Sequence, residues 1–230
     1  DMDVNIWIAV AAGFAVGPIV GLSNGLLVTK VGINPLITTL GTMSIVRGLA
    51  FVLTGGLTGT ILDSGFAVIG RGEVVGIPVP LIILIVWFVI ASLVMSYTRF
   101  GRDLYSIGGN AEASRLAGIP VDRRKIAVYV ISGSAASVAG IVLASQLGAG
   151  APQSAAGVEL TVITAVILGG TSLSGGKGTV WGTMLGVFIM GVLNNGLALL
   201  RVSSFYQEVF RGAVLLLAVA MDQLGQRRRR

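Results

Sequence analysis

The stretch IWIAVAAGFAVGPIVGLSNGLLV (residues 6–28) decides the fold class, because it is long and contains no charged side chain. At about 1.5 Å of rise per residue, a helix of this length crosses about 30 Å of hydrocarbon. The whole chain has the same bias, with 54% hydrophobic and 11% charged residues, whereas soluble domains carry about 25% charged residues. The sequence therefore predicts an integral membrane protein with an all-α, polytopic transmembrane fold.

Further apolar blocks predict about seven spans in a single transmembrane domain that covers residues 1–230. After the first stretch, the predicted spans are 33–53, 80–97, 126–147, 159–171, 178–200 and 206–224. The run 159–171 is short for a complete crossing, so we expect a tilted, half-buried or partly broken helix that other parts of the protein shield. The glycine-rich interval 54–79 is expected to form an extramembrane loop.

Small residues recur at every third or fourth position in two of the spans. The first set is Gly13, Gly17, Gly21 and Gly25, and the second is Gly133, Ser137, Gly140, Ala144 and Gly148. Such faces let helix backbones approach closely and gain dispersion contacts in lipid, where no hydrophobic force favours association. We interpret both sets as helix-packing faces.

The chain contains no cysteine and no histidine, which excludes disulfides, thiolate and imidazole metal sites and histidine-dependent catalysis. It also offers no paired carboxylates as general acid and base, so we expect neither an enzyme nor a metal site. The formal charge of +6 comes from basic residues between spans and at the C-terminus. Membrane topology explains that distribution, and no nucleic-acid partner is expected.

One orientation places most of the basic residues on one side of the membrane. Of sixteen lysines and arginines, twelve are then cytoplasmic: Lys30, Arg99, Arg102, Arg115, Arg123, Arg124, Lys125, Lys177, Arg227, Arg228, Arg229 and Arg230. The positive-inside rule favours this orientation, in which the loop 98–125 and the C-terminus are cytoplasmic and the N-terminus lies outside. Because the N-terminus lies outside in this orientation and the first residue is Asp1 and not Met, we expect an odd number of further spans upstream.

The segment GGTSLSGGKGT (residues 169–179) is rich in glycine and partly resembles a phosphate-binding loop. That pattern needs glycine, four residues, Gly-Lys and then serine or threonine. Counting back from Lys177, the first glycine position is occupied by Thr171, and Gly178 follows the lysine. The match fails at both positions, so we predict a tight turn between two membrane helices.

Three of the polar residues within the apolar spans are the candidate pathway residues. Arg47 either extends its side chain to the membrane surface or another helix, or it faces a hydrated pathway. Asn194 and Asn195 must find hydrogen-bond partners, either across helices or in a hydrated cavity. Both interpretations stay open for each residue.

The longest polar interval is TRFGRDLYSIGGNAEASRLAGIPVDRRK (residues 98–125). Asn110 is a good N-cap, Glu112 complements the helix dipole, and Gly118 followed by Pro120 is a stop signal, which together predict a helix over 111–117. A helix of two turns is marginal in water, because nucleation costs more than a few propagating bonds return. We therefore expect it to pack on something.

The sequence of this short helix, EASRLAG (residues 112–118), resembles the E-A-A, three residues, G pattern of the cytoplasmic loop in ABC importer permeases, with Ser114 in place of the second alanine. Segments 23–50, 98–119, 167–183 and 194–219 resemble, in the same order, the permease subunits of ribose-type carbohydrate ABC importers, which are related to branched-chain amino-acid permeases. The resemblance implies a subunit of about ten spans, of which the first three have no counterpart here.

The resemblance also implies how the residues act. The loop 98–125 would hold a coupling helix that docks on an ABC ATPase subunit. The residues carried over for that contact are Asn110, Glu112, Ala113, Ser114, Arg115, Leu116 and Gly118. Further implied partners are a second permease subunit, expected to be another copy of the chain, and a periplasmic or extracellular sugar-binding protein. The permease itself holds no cofactor, since ATP and Mg belong to the ATPase.

The expected function is import of a monosaccharide, such as ribose or another small sugar, across the bacterial inner (plasma) membrane by alternating access. One alternative is an ABC permease for another small polar solute, such as a branched-chain amino acid. The other is an ion-independent secondary transporter or channel. Ion-coupled carriers usually place acidic residues at mid-membrane, whereas Glu159, Glu208 and Asp222 lie near the ends of spans.

Overall fold

A computed structural model describes residues 5–227 of the chain, with side chains described up to Leu224. In chain order the helices are α1 (Ile6–Leu26), α2 (Pro35–Thr54), α3 (Ser64–Arg71), α4 (Val79–Tyr97), α5 (Arg99–Gly109), α6 (Ala111–Leu116), α7 (Val121–Leu147), α8 (Val158–Leu168), α9 (Val180–Leu199) and α10 (Ser204–Arg227). The strands are β1 (Gly59–Thr60), β2 (Glu73–Val74), β3 (Ile77–Pro78) and β4 (Ala149–Gly150). Of the predicted C-terminal basic cluster, residues 228–230 and the side chain of Arg227 lie outside the described part.

The predicted all-α, polytopic fold is confirmed. In the described residues, six helices are long and apolar enough to cross a membrane: α1 with its π-helical extension Leu27–Val31, α2, α4, α7, α9 and α10. The remaining predicted span, 159–171, is α8, an apolar helix of 11 residues. It has the short length that the sequence indicated.

Local signals set several helix ends where the sequence predicts them. Asn34 caps α2, since its side-chain oxygen accepts the Leu36 amide at 2.9 Å, and Pro35 takes the first helical position. Gly55 ends α2 in the left-handed conformation with φ of 60°. In α7 the helix begins at Val121, earlier than the predicted residue 126, so the basic end of the polar interval is helical.

The described chain divides into two compact units, with boundaries inside α4 and just before α7. The first unit contains residues up to Trp87 and Pro120–Ser154, and its main contact joins α1 to α7. A Cβ on Gly17, Gly21 or Gly25 would collide with the α7 backbone. These glycines therefore form the packing face that their spacing predicts, whereas Gly13 has no neighbour within 4 Å of such a Cβ.

The interval 54–79 is more ordered than the predicted loop. It contains α3, strand β1, which pairs with β4, and the antiparallel hairpin of β2 and β3. Helix α3 is fixed on α7 by Ser145, whose hydroxyl donates to the Phe66 carbonyl at 2.6 Å and accepts from the Gly70 amide at 2.8 Å. The helix was not predicted because its support comes from a residue 75 or more positions away.

The second unit contains Phe88–Ile119 and the residues from Ala155 onward. In it α8 packs against both α9 and α10. Its buried positions include Thr164 and Ala165, and a Cβ on Gly186 of α9 would overlap the Ala165 carbonyl oxygen. Helix α8 is thus shielded by protein on these sides, in agreement with the expectation for so short an apolar helix.

Candidate functional site

The predicted short helix is present as α6, and its start depends on one side chain. The Asn110 side-chain oxygen accepts the backbone amides of Glu112 at 3.0 Å and Ala113 at 2.9 Å. These are two of the amide donors that a helix N-terminus leaves without an intrahelical acceptor. The end is also as predicted, since Gly118 takes φ of 83° and the Ile119 amide donates to the Ser114 carbonyl at 3.0 Å.

Ser114 is the position at which the sequence departs from the E-A-A pattern, and its hydroxyl has a specific environment. The side chain is 3% exposed. Its Oγ donates to the Asn110 carbonyl at 2.8 Å and lies 2.9 Å from the Oγ of Ser106 on α5. The serine therefore links α6 to α5, a contact that an alanine could not make.

The rest of α6 faces away from α5. Leu116 is 86% exposed, and Glu112, Ala113 and Arg115 are also exposed. A helix of six residues has little stability of its own. In the second unit α6 is therefore supported on one side by α5 and offers the other side, with an exposed leucine, to a partner.

Helix α5, which the sequence did not predict, lies between α6 and the loop that joins α8 to α9. We call residues 169–179 the glycine loop. The Tyr105 hydroxyl of α5 donates to the Gly178 carbonyl at 2.9 Å. The backbones also touch, because a Cβ on Gly108 would stand 2.9 Å from the Gly176 Cα. The predicted tight turn thus also forms the surface on which α5 rests.

The glycine loop is held on its other side by α10. One carboxylate oxygen of Asp222 accepts the Ser172 hydroxyl and the Leu173 amide, each at 3.3 Å. No sequence motif marks Tyr105, Ser172 or Asp222 as connected, since their bonds join residues that are 49 to 73 positions apart in the chain. Within the second unit, α6, α5, the glycine loop and one end of α10 therefore lie together.

The side chains of the candidate pathway residues have no hydrogen-bond partner among the described residues. In the part that the structure describes, the side chains of Arg47, Asn194 and Asn195 make no hydrogen bond or ion pair. Neither asparagine therefore links two helices of the described chain through its amide. Arg47 lies in the first unit and the asparagines in the second. Arg211 of α10, not singled out from the sequence, has a buried Nε that also lacks a partner among the described residues.

Each unit places together loops that the predicted topology assigns to the same side of the membrane, whichever side that is. In the first unit, Lys30 after α1 forms an ion pair of 3.3 Å with Asp122 in the first turn of α7. At the other end, β1 pairs with β4. In the second unit, the glycine loop with Lys177 adjoins α5 and α10. Residues predicted to share a membrane side therefore lie together within each unit.

Six membrane-length helices and a short capped helix with an exposed face, all within the described residues, define a polytopic α-helical membrane protein. Comparison with known proteins gives the family. The sequence profile of the family described as the branched-chain amino acid transport system / permease component matches residues 1–219. The chain belongs to this family, and the resemblance read from its motifs is confirmed.

Individual relatives are sugar permeases by name. The L-arabinose transport system permease protein AraH of Escherichia coli K12 is 44% identical over 230 residues, which is all of this chain and 70% of that protein. The ribose import permease protein RbsC of Bacillus subtilis 168 is 48% identical over 202 residues, 87% of this chain and 63% of that protein. RbsC of Escherichia coli K12 is 43% identical over 229 residues, 98% of this chain and 71% of that protein. No solved structure matches the chain.

Proposed function

We propose that the chain is the membrane-spanning permease subunit of an ATP-driven ABC importer that carries a small sugar into the cytoplasm. The observation that carries this proposal is α6, a helix of six residues with both ends capped, one side bonded to α5 and the other exposed. Such a helix is suited to dock on a partner because its caps and its bond to α5 favour the helical state, while it is too short to be an independent element. The names of the sugar-permease relatives support the substrate class.

The partner at α6 in this proposal is an ABC ATPase subunit, which holds ATP and Mg. The permease forms no covalent bond with its substrate, and a second copy of the chain and an extracytoplasmic sugar-binding protein complete the importer. The loop 98–125 and the C-terminus are then cytoplasmic, because that orientation places the basic loop residues inside.

Import proceeds in this proposal by alternating access. ATP-driven movement of the coupling helices shifts the permease between outward-open and inward-open packings. Glycine contacts suit such a shift, because helices that touch through backbone atoms present few side chains that obstruct sliding. Contacts of this kind are present within each unit. Gly17, Gly21 and Gly25 of α1 contact the α7 backbone, and Gly186 of α9 contacts the α8 backbone.

ATP-dependent uptake tests the function directly. Vesicles would contain the chain, its ATPase and its binding protein, and uptake of labelled ribose, L-arabinose, a hexose and leucine would be measured with and without ATP. The matched control is an ATPase that cannot hydrolyse ATP. Uptake of a sugar only with active ATPase is expected. The family description makes a branched-chain amino acid the second candidate substrate, so uptake of leucine alone would change the substrate assignment. Uptake that does not need ATP would refute the proposal that the chain belongs to an ATP-driven importer.

The pathway residues have a separate test. Asn194→Leu and Asn195→Leu remove amides that have no partner in the described chain. If these amides contact sugar hydroxyls in a hydrated pathway, each change should raise the apparent KM for uptake while the amount of assembled importer stays constant. Loss of assembled protein with an unchanged KM would instead assign the asparagines to contacts between subunits.

A further inference from the structure

Helix α5 contacts the glycine loop through backbone atoms, since the nearest groups that would meet a Cβ on Gly108 all belong to the backbone of Gly175 and Gly176. A Cβ on Gly175 would stand 3.1 Å from the Gly108 Cα, and one on Gly108 would stand 2.9 Å from the Gly176 Cα. We call Gly108, Gly175 and Gly176 the glycine seam. Gly175 and Gly176 have φ of 89° and 71°, a conformation that residues with a Cβ rarely adopt. The loop therefore needs glycine both for its shape and for its approach to α5.

Hydrogen bonds extend this contact in both directions. Toward the exposed helix, the Ser106 and Ser114 hydroxyls join α5 to α6 at 2.9 Å. Toward the membrane helices, Tyr105 of α5 donates to the Gly178 carbonyl at 2.9 Å, and Thr179, the next residue, caps α9 by accepting the Gly182 amide at 2.9 Å. A displacement of α6 would thus reach the first turn of α9 through one side-chain bond on each side of α5.

The glycine loop also contacts α10 through Ser172, Leu173 and the Asp222 carboxylate. Since residues 169–179 follow directly after α8, the loop touches or continues into α8, α9 and α10. These are the helices of the second unit that carry Asn194, Asn195 and Arg211. In the second unit, the three residues noted above for lacking a hydrogen-bond partner among the described residues are therefore on α9 and α10, which the loop leads into or contacts.

We propose that Tyr105 and the glycine seam position the coupling helix, so that movement of α6 is carried through the glycine loop to α9 and α10. This inference rests on the proposed function, since it assigns α6 to an ATPase. It goes further by giving a role to GGTSLSGGKGT, whose glycines serve as a backbone contact surface for α5 and not as a phosphate site. At this contact the Tyr105 bond to the Gly178 carbonyl opposes the sliding that glycine contacts alone would permit, so a displacement of α5 is carried to the loop.

The test compares two neighbouring glycines and one hydroxyl. Gly108→Ala places a methyl group against the Gly176 backbone, whereas a Cβ on the adjacent Gly109 has no neighbour within 4 Å, so Gly109→Ala is the matched control. Tyr105→Phe keeps the ring and removes only the bond to Gly178. Each variant is assembled with ATPase and binding protein in vesicles, and sugar uptake and ATP hydrolysis are measured on the same preparation.

The expected result is a lower number of sugars imported per ATP hydrolysed. Gly108→Ala and Tyr105→Phe should lose about fivefold or more of this ratio, the lower end of typical coupling between sites, and Gly109→Ala should keep it. If Gly108→Ala fails to assemble, Tyr105→Phe decides. An unchanged ratio in Tyr105→Phe would overturn the inference. Failure of the unsubstituted chain to couple ATP to uptake would instead refute the proposed function, so the two failures are distinguishable.

Discussion

The substitution Asn110→Ala tests whether the cap of α6 controls binding of the ATPase. Asn110 holds the amides of Glu112 and Ala113 through a single side-chain oxygen, and alanine removes that oxygen while leaving the Ser114 link to α5 in place. The change therefore acts on the start of the helix without altering the groups that α6 exposes.

The magnitude follows from the cap and from the length of the helix. Replacing an asparagine N-cap by alanine costs about 1 kcal/mol of helix stability, which corresponds to a factor of about five in the folding equilibrium of α6. A helix of six residues is near the limit of stability. If α6 is formed half of the time, its population falls about threefold, and the apparent Kd for the ATPase rises by the same factor. The upper limit, for a helix that is mostly unfolded, is about fivefold.

Affinity for the ATPase subunit would be measured with the permease in nanodiscs. Asn110→Ser is the matched control, because serine caps a helix about as well as asparagine and carries no charge. We expect a weaker complex for Asn110→Ala and an unchanged complex for Asn110→Ser. Equal affinities for all three proteins would refute the reasoning, since packing on α5 would then hold α6 without its cap. Equal losses for both variants would show that the asparagine contacts the ATPase directly.

Three further predictions concern the helix end, the packing face and the orientation. Gly118→Val should weaken ATPase binding, because a left-handed residue with a Cβ costs about 1–2 kcal/mol, whereas Gly118→Asn should retain it; a tolerated valine would contradict the role of the left-handed end. Gly21→Ala should lower the unfolding temperature in detergent, because its Cβ would stand 2.9 Å from the Tyr129 carbonyl carbon and overpacking costs about 1–3 kcal/mol. Gly13→Ala should not lower it, because nothing lies within 4 Å of that Cβ, and equal unfolding temperatures would contradict the packing of α1 on α7 through Gly21. Because the chain has no cysteine, Ser106→Cys provides a single thiol, which should react with an impermeant thiol reagent only from the cytoplasm. Labelling of this thiol in intact cells would contradict the predicted orientation.

Local signals in the sequence were enough to predict α6. Asparagine caps and left-handed glycine ends act within four residues of the backbone groups that they satisfy, so Asn110 and Gly118 define the helix without knowledge of the rest of the fold. The membrane-length helices were predicted for a similar reason. An apolar block must satisfy its own backbone hydrogen bonds in lipid, and only a helix does so within one segment.

Helices α3 and α5 could not be predicted in this way. Both contain glycines, which favour a loop when they are considered locally. In the structure these glycines make the close contacts, Gly70 to Ser145 on α7 and Gly108 to Gly176 in the glycine loop. The helical state of these segments depends on a tertiary neighbour, so neither propensity nor spacing reveals it.

Glycine spacing in the sequence likewise predicts only part of the contacts that the glycines make. Spacing shows which glycines share a helix face, but it does not show where along that face the neighbouring helix comes close enough to touch. Gly13 continues the series of Gly17, Gly21 and Gly25, yet it lines a cavity of about 340 Å³ in the first unit. Likewise, the failed match to a phosphate loop excluded one function for residues 169–179 without indicating another. The role proposed for them depends on their contact with α5, which joins two segments far apart in the chain, and only the glycine loop carries a recognisable motif.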